Sequence, residues 1–187
     1  MKRLKIIGGL MVVILLLMFS TKGIAQTTIN PDTVCANAVG EQYFVTNTPT
    51  STYQWTITGG GGALQTGQGT NSITVDWGGI SGLYPNAVEV IETNASNCPG
   101  TPVLLDVYVL DLSGNVIGPF CPGDPSTTLV GNPAGGTWSG TGVIGNDFDP
   151  ATAGVGNYVL TYSMAGCNTT INVTVNNGPV TGPIQHY

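Results

Sequence analysis

The sequence has very few positive charges, and all of them lie in its first 22 residues. They are Lys2, Arg3, Lys5 and Lys22, whereas ten Asp and Glu residues are spread over the rest of the chain. Lys and Arg are the residues that bind phosphate backbones and anionic lipid surfaces. We therefore exclude nucleic acid as a partner of the segment that follows Lys22, and we do not expect this segment to bind anionic membranes.

The basic residues open a pattern typical of an export signal. An apolar run (6–19) follows them, and "TKGIAQ" then places Gly23 and Ala25 at a small-x-small cleavage site. We predict a signal peptide over residues 1–25, because a membrane span needs about 20 apolar residues and this run is shorter. The alternative is an uncleaved membrane anchor, the only membrane contact that we expect. The signal peptide predicts a secreted protein. Its removal takes away all four cations and changes the formal net charge from −6 to −10.

Histidine and cysteine are scarce as well, with one and four residues. The single histidine, His186, and the wide spacing of the cysteines argue against a metal site. Four cysteines in an exported chain favour disulfides, and three pairings are open. An internal repeat favours one bond per unit, which predicts Cys35 with Cys98 and Cys121 with Cys167.

The same repeat divides the chain into two predicted domains, 27–112 and 117–176. The segment between them, "DLSGNVIGP", has the Gly, Asn and Pro of a short linker. Residues 177–187 are either a plain tail or the start of a truncated third repeat, because "VTGPI" echoes "VIGPF" before the second unit.

Alternation of apolar and polar residues dominates both units. In "YQWTIT" Tyr53, Trp55 and Ile57 share one face, and "SITVDW", "NYVLTY" and "TINVTV" follow the same period. Short strands joined by glycine-rich turns predict an all-β fold of two tandem β-sandwiches. We predict no helix after the signal peptide.

Units of this size have little apolar area to bury, so large aromatic side chains matter most. Glycines on both sides of Trp138, in "GGTWSGTGV", permit tight turns beside its ring. The alternative is that tryptophans stack on sugar rings at the surface. The aromatic residues that we predict in the cores are Trp55, Trp77, Trp138, Phe148, Tyr158 and Tyr162.

Two sets of motifs resemble known families. From Phe120 to Cys167, "FCPG", "GGTWSGTGV" and "AGC" resemble an immunoglobulin-like repeat of large Bacteroidetes surface adhesins. From Val34 to Cys98, "VC", "YQWT", "VDW" and "NC" are similar to the PKD-like domains beside such repeats. The resemblance implies tandem immunoglobulin-like/PKD-like β-sandwich domains, a link with surface attachment and gliding motility, and no catalytic residue.

Three features suggest sites. Asp147 and Asp149 in "GNDFDP" are candidate calcium ligands, because calcium prefers carboxylate and carbonyl oxygens. The alternative places Phe148 in the core and both acids in water; no other cofactor is expected. "DTV" resembles the O-glycosylation signal of these bacteria, which makes Thr33 a candidate modification site. Asp106 interrupts the apolar run "VLLDVYVL" and indicates an edge or an outward face.

These observations predict an exported, non-enzymatic module for adhesion or structural assembly at the outer cell surface or beyond it. Its expected partners are other surface proteins, further copies of itself, or glycans. An unpaired edge strand is one means of assembly. The alternative is a carbohydrate-binding module that assists polysaccharide capture or degradation. An enzyme is not expected, because no serine lies in a Gly-x-Ser-x-Gly context.

Overall fold

The computed structural model describes residues 26–27, 31–179 and 182–186, so the predicted signal peptide (1–25) lies outside the described residues. The strands of the first half are β1 (Gln26–Thr27), β2 (Asp32–Cys35), β3 (Glu41–Phe44), β4 (Thr52–Ile57), β5 (Ala63–Thr66), β6 (Ser72–Asp76), β7 (Gly82–Thr93) and β8 (Val103–Leu110). Those of the second half are β9 (Ser113–Gly114), β10 (Thr127–Thr128), β11 (Gly131–Asn132), β12 (Thr137–Ser139), β13 (Val143–Ile144), β14 (Asp147–Phe148), β15 (Gly156–Met164) and β16 (Cys167–Val175). One short helix, α1 (Pro150–Ala153), precedes β15. The predicted all-β class is confirmed.

The first half folds into two sheets. One has the order β1-β8-β7-β4 with β2 also paired to β8, and the other has the order β3-β6-β5. β1 and β2 run parallel to β8, whereas the other pairs are antiparallel. Side chains of both sheets form the first core, whose buried members are Val34, Tyr43, Tyr53, Trp55, Ile73, Val75, Trp77, Ala87, Val88, Val90, Val107 and Val109.

The alternation read from the sequence is present in the strands. In β4, Tyr53 and Trp55 are buried, and Gln54 between them is exposed. In β6, Ile73 and Val75 are buried in the same period of two. Successive side chains of a strand point to opposite faces, so one face of each strand packs on the core.

The second half has shorter ladders. Its sheets have the orders β12-β15-β16, β10-β14-β13 and β11-β9, and only β15 and β16 pair over nine residues each. A parallel bridge also joins Phe120 to Val175 at the end of β16. The second core consists of Leu110, Leu112, Leu129, Trp138, Phe148, Leu160, Tyr162, Cys167, Val173 and Val175.

The two cores adjoin directly. Leu110 closes β8 of the first half yet is buried in the second core, and Tyr108 packs against the same core. Part of the predicted linker is also ordered as a strand, since β9 pairs with β11. The last residues of β8 therefore carry the chain from one core straight into the other.

Helix α1 differs from the prediction of no helix. Asp149 caps its N-terminus by accepting a hydrogen bond from the backbone N–H of Ala151, and Pro150 follows in the first turn. Both are favourable helix-start signals, but one turn is too short to give a helical period in the sequence. No helix in the described part of the chain is long and apolar enough to cross a membrane.

Candidate functional site

The cysteines form one bond across the junction between the cores. Cys35 at the end of β2 is bonded to Cys167 at the start of β16, with a Cα–Cα distance of 5.4 Å and a sequence separation of 132. Cys98 and Cys121 are exposed free thiols. The predicted pairings, Cys35 with Cys98 and Cys121 with Cys167, are therefore wrong.

Strand direction explains why those pairings fail. Cys35 lies opposite Leu110, at the end of β8 that reaches the junction. Cys98 precedes the other end of β8, and at about 3.3 Å per residue the length of β8 separates the two cysteines by more than roughly 20 Å. Cys121 follows Phe120, which pairs with the end of β16 that is remote from Cys167. Disulfides form only when the Cα atoms are within about 7 Å.

The observed bond closes a much longer loop than either predicted bond. In the chain-entropy model, a loop of about 130 residues lowers the entropy of the unfolded chain enough to stabilise the fold by about 5 kcal/mol. Cys167 is itself buried in the second core, while Cys35 packs against that core from the first half. The cystine is thus the covalent part of the contact between the two cores.

Close packing around Tyr162 explains the glycines near Trp138. The Trp138 and Tyr162 ring centroids are 5.0 Å apart, and the Tyr162 hydroxyl donates to the Pro133 carbonyl at 2.6 Å. The Gly136 N–H donates to the same hydroxyl at 2.8 Å. A Cβ at Gly131 would lie 2.1 Å from the Tyr162 ring, and one at Gly136 would lie 2.6 Å from it. Only glycine fits these two positions.

All three tryptophans are buried. Trp55, Trp77 and Trp138 are 5%, 3% and 7% exposed. A shallow cavity of about 140 Å3 lies beside Trp138 and Tyr162. The Trp138 Nε1 atom is buried without a hydrogen-bond partner in the described part of the chain. None of these rings offers the open face that stacking on a sugar requires.

A polar chain crosses the first core. Trp77 Nε1 donates to the Tyr43 hydroxyl at 3.1 Å, and this hydroxyl donates to Asp32 Oδ2 at 3.1 Å. Burial raises the pKa of Tyr43 above its ordinary value, and the negative charge of Asp32 raises it further. The neutral tyrosine thus satisfies a buried indole N–H and links it to a carboxylate nearer the surface.

The two acids proposed as calcium ligands are engaged within the chain. Phe148 between them is fully buried, so the acids point away from the core. Asp147 accepts a hydrogen bond from the Thr128 hydroxyl. Asp149 caps α1, and the hydroxyl of Thr152 lowers its pKa. No cluster of three or more His, Cys, Asp or Glu side chains occurs among the described residues, and calcium at this loop stays a prediction.

Of the remaining predicted residues, Thr33 and His186 are exposed, whereas Asp106 and Tyr158 are half-buried. Asp106 accepts a hydrogen bond from the Asn86 N–H at 2.7 Å, where the register of β7 shifts against β8. Thr33 is exposed on β2, opposite Tyr108, and its glycosylation stays a prediction. His186 is also exposed. Tyr158, predicted in the core, packs against the second core and donates to the Ala153 carbonyl.

One sheet edge is occupied by a side chain. The free side of β4 is bonded at Tyr53, whose N–H donates to the Gly69 carbonyl and whose carbonyl accepts from the Gly69 N–H. The Gln68 amide then takes both backbone groups of Trp55, at 2.8 and 2.9 Å. Nothing in the sequence pattern signals this role, which depends on how the loop before β6 folds back. The capped edge leaves no place for an added strand at these residues.

The edge of the other sheet is different. β3 pairs with β6 on one side only, and within the described chain no strand pairs with its other side. Phe44 on this strand is 75% exposed and adds apolar surface to it. At the opposite edge, β5 is interrupted by a register shift between Leu64 and Thr66. β3 is therefore the more regular edge that this sheet presents.

Comparison with known proteins adds one family. Residues 22–104 match the family model of PKD-like domains, which covers most of the predicted first unit. A search of curated proteins gave no match. The chain is thus an all-β protein that carries a PKD-like segment in its first half.

Among solved structures, the chain is similar to extracellular domains 3–5 of Drosophila OTK, with 13% identity and a TM-score of 0.37. That match covers 80% of this chain, which spans 59% of the OTK fragment. It is also similar to a titin A168–A169 fragment, with 13% identity, a TM-score of 0.28, and coverage of 80% of this chain and 95% of that chain.

Proposed function

We propose that this chain is an exported, non-enzymatic module for adhesion or structural assembly at the outer cell surface or beyond it. It would consist of two β-sandwich units, residues 27–112 and 117–176, as the repeat in the sequence predicts. The observation that carries the proposal is the PKD-like match over residues 22–104 within an all-β fold. Three carboxylates support the non-enzymatic part of the proposal. Asp32, Asp147 and Asp149 each accept a hydrogen bond from the hydroxyl of another residue of the chain, which is a structural role.

The partner that we favour is a second copy of the chain, docked at β3. An unpaired strand edge presents backbone N–H and C=O groups that bind an added strand. The exposed Phe44 ring adds apolar area at the same place. The edge of β4 is capped by Gln68, so within the first half assembly by strand addition would proceed from β3 rather than from β4.

Self-association of the secreted chain tests this function. Beads coated with residues 26–187 should cluster, and the chain in solution should sediment as more than a monomer at high concentration. Phe44→Ser should weaken both effects. The matched control is Val159→Ser, because Val159 is 60% exposed but lies on β15, the central strand of its sheet, which pairs with β16 along its length and with β12 at residues 161–163.

Two results would overturn the assembly proposal. One is a chain that stays monomeric at high concentration while its beads remain dispersed. The other is an equal loss for Phe44→Ser and Val159→Ser, which would show that any exposed apolar residue suffices and that the β3 edge has no special role.

The carbohydrate-binding alternative has no support from the tryptophans, because all three are buried. A glycan array probed with the secreted chain should therefore give no signal above that of a chain unfolded in urea. Specific binding to one class of polysaccharide would favour the alternative over self-association.

A further inference from the structure

The Cys35–Cys167 bond encloses nearly all of both cores. The two cysteines are 132 positions apart, which leaves 131 residues (36–166) in the closed loop. Val34 is the one member of the first core that precedes the loop. Of the second core, Val173 and Val175 follow it. Every other buried residue of either core lies inside the loop or is the cystine itself.

The two strands next to the cystine and outside the loop, β2 and β16, lie against different cores. β2 reaches Cys35 after pairing with residues 107–110 of β8, so the N-terminal flank lies against the first core. β16 starts at Cys167 and runs along β15 to Val175, so the C-terminal flank lies against the second core. Tension applied to the two ends of the chain is therefore transmitted along both flanks to the disulfide.

We propose that this cystine is a force-bearing tie, which carries tension between the two ends of the chain past both cores. The mechanical property follows from the connectivity alone. Its use in the cell rests on the proposed function, because a module for attachment or assembly is loaded between its ends.

Covalent and hydrogen bonds respond differently to such a load. Tension along the backbone passes from residue 34 to Cys35, across the sulfur atoms, and out through Cys167. It can separate the six residue pairs that join β1 and β2 to β8, the nine pairs between β15 and β16, and the bridge between Phe120 and Val175. It cannot reach β4, β6 or β7, because the loop that contains them is closed by the disulfide.

Extension gives a quantitative signature. The flanks of the secreted chain, 26–34 and 168–187, span at most roughly 100 Å at about 3.5 Å per residue, and this length is the upper limit of what they can release. Reduction of the cystine releases the 131 enclosed residues, which adds roughly 430 to 470 Å at 3.3 to 3.6 Å per residue. The two states thus differ about fivefold in the length that unfolding releases.

Single-molecule stretching of residues 26–187, held by handles at both termini, tests the tie. We expect oxidised chains to release at most roughly 100 Å. Adding a thiol reductant to the same folded molecules under load should release the further 430 to 470 Å. This arm uses the native chain, so it does not depend on whether a cysteine variant folds.

Variants provide the matched comparison. Cys35→Ser with Cys167→Ser should extend fully without reductant, whereas Cys98→Ser with Cys121→Ser should behave like the native chain, because both of those thiols are free. The proposal is overturned if oxidised native chains unfold over several hundred ångströms, or if the Cys98/Cys121 variant removes the reductant effect. Neither readout requires self-association, so failure of the bead assay and failure of the tie are separate outcomes.

Discussion

β7 and β8 in the first half run for 12 and 8 residues and build a continuous sheet with β4. In the second half only β15 and β16 reach nine residues, and most other strands have two. The second half has three of the four close aromatic pairs found among the described residues. Where backbone ladders are short, contacts between aromatic rings and glycines take over much of the packing.

The largest expected effect tests that dependence on aromatic rings. Phe148 is fully buried, and its ring centroid lies 5.5 Å from that of Phe120. Phe148→Ala should lower the free energy of unfolding by about 3–5 kcal/mol, because a large core side chain is replaced by a cavity. Urea denaturation measures the loss, and hydrogen exchange shows where it falls.

Protection should drop in β15 and β16 and persist in β7. Val116→Ala, at an exposed position, is the control and should change neither measurement. An equal loss of protection in both halves would show that the two cores unfold as one, and the contrast between them would fail.

The next effect comes from the glycine that faces Tyr162. Gly131→Ala places a methyl group about 2 Å from a ring that is itself buried, so the expected loss of stability is about 3 kcal/mol, at the upper end for overpacking. Gly123→Ala is the matched control, because no atom lies within 4 Å of its added Cβ. Thermal denaturation of both variants tests this, and the midpoint should fall for Gly131→Ala but not for Gly123→Ala. Equal midpoints would mean that the ring moves freely aside.

A smaller loss is expected in the first core. Tyr43→Phe leaves the buried Trp77 N–H without its acceptor, which should cost about 1–2 kcal/mol at pH 7. Urea denaturation at that pH measures it. Tyr53→Phe is a useful comparison, because the Tyr53 hydroxyl bonds only to a loop backbone. A larger loss for Tyr53→Phe would contradict the importance assigned to the polar chain.

The stability difference between the native chain and Tyr43→Phe should also depend on pH in the alkaline range. The pKa of Tyr43 is raised in the folded chain, while an unfolded tyrosine ionises near pH 10. The stabilisation is complete below pH 10 and is lost as the pH rises above it, because only the unfolded chain releases the proton. The advantage of native chain over Tyr43→Phe should therefore shrink between pH 9 and 11 in denaturation experiments. A constant advantage over this range would contradict it.

The smallest effect belongs to Asp149. Its pKa is lowered by the hydroxyl of Thr152, so its contribution is present above about pH 4 and is lost as the pH falls below that. Asp149→Asn keeps a good helix cap but cannot titrate. The melting temperature of this variant should fall slightly less than that of the native chain between pH 6 and pH 2.5. Identical profiles would show that the carboxylate charge contributes nothing.

Much of the fold could be predicted because it is local. Period-two alternation predicted Tyr53 and Trp55 on one buried face, and the small apolar area of each unit predicted that Trp138 is buried; both predictions agree with the structure. The two-residue strands and the single turn of α1 escaped prediction, since neither is long enough to show a period.

The cysteine pairing failed for a different reason. The repeat suggested that each unit closes on itself, but pairing depends on which strand ends meet in space. Cys35 lies at the junction only because β2 runs parallel to β8 and stops opposite Leu110. Such non-local register leaves no trace in the spacing of the cysteines. The Gln68 cap on β4 belongs to the same class of unpredictable contact.

The bond at Cys35 and Cys167 also makes the body of the molecule a ring. A protease that cuts once in any exposed turn between these residues leaves a single covalent piece, whose new ends stay anchored in the folded cores. Enzymes that cleave after basic residues find no target in the chain after Lys22. Both features favour resistance to proteolysis, because at least two cuts between the cysteines are needed to release a fragment from the ring.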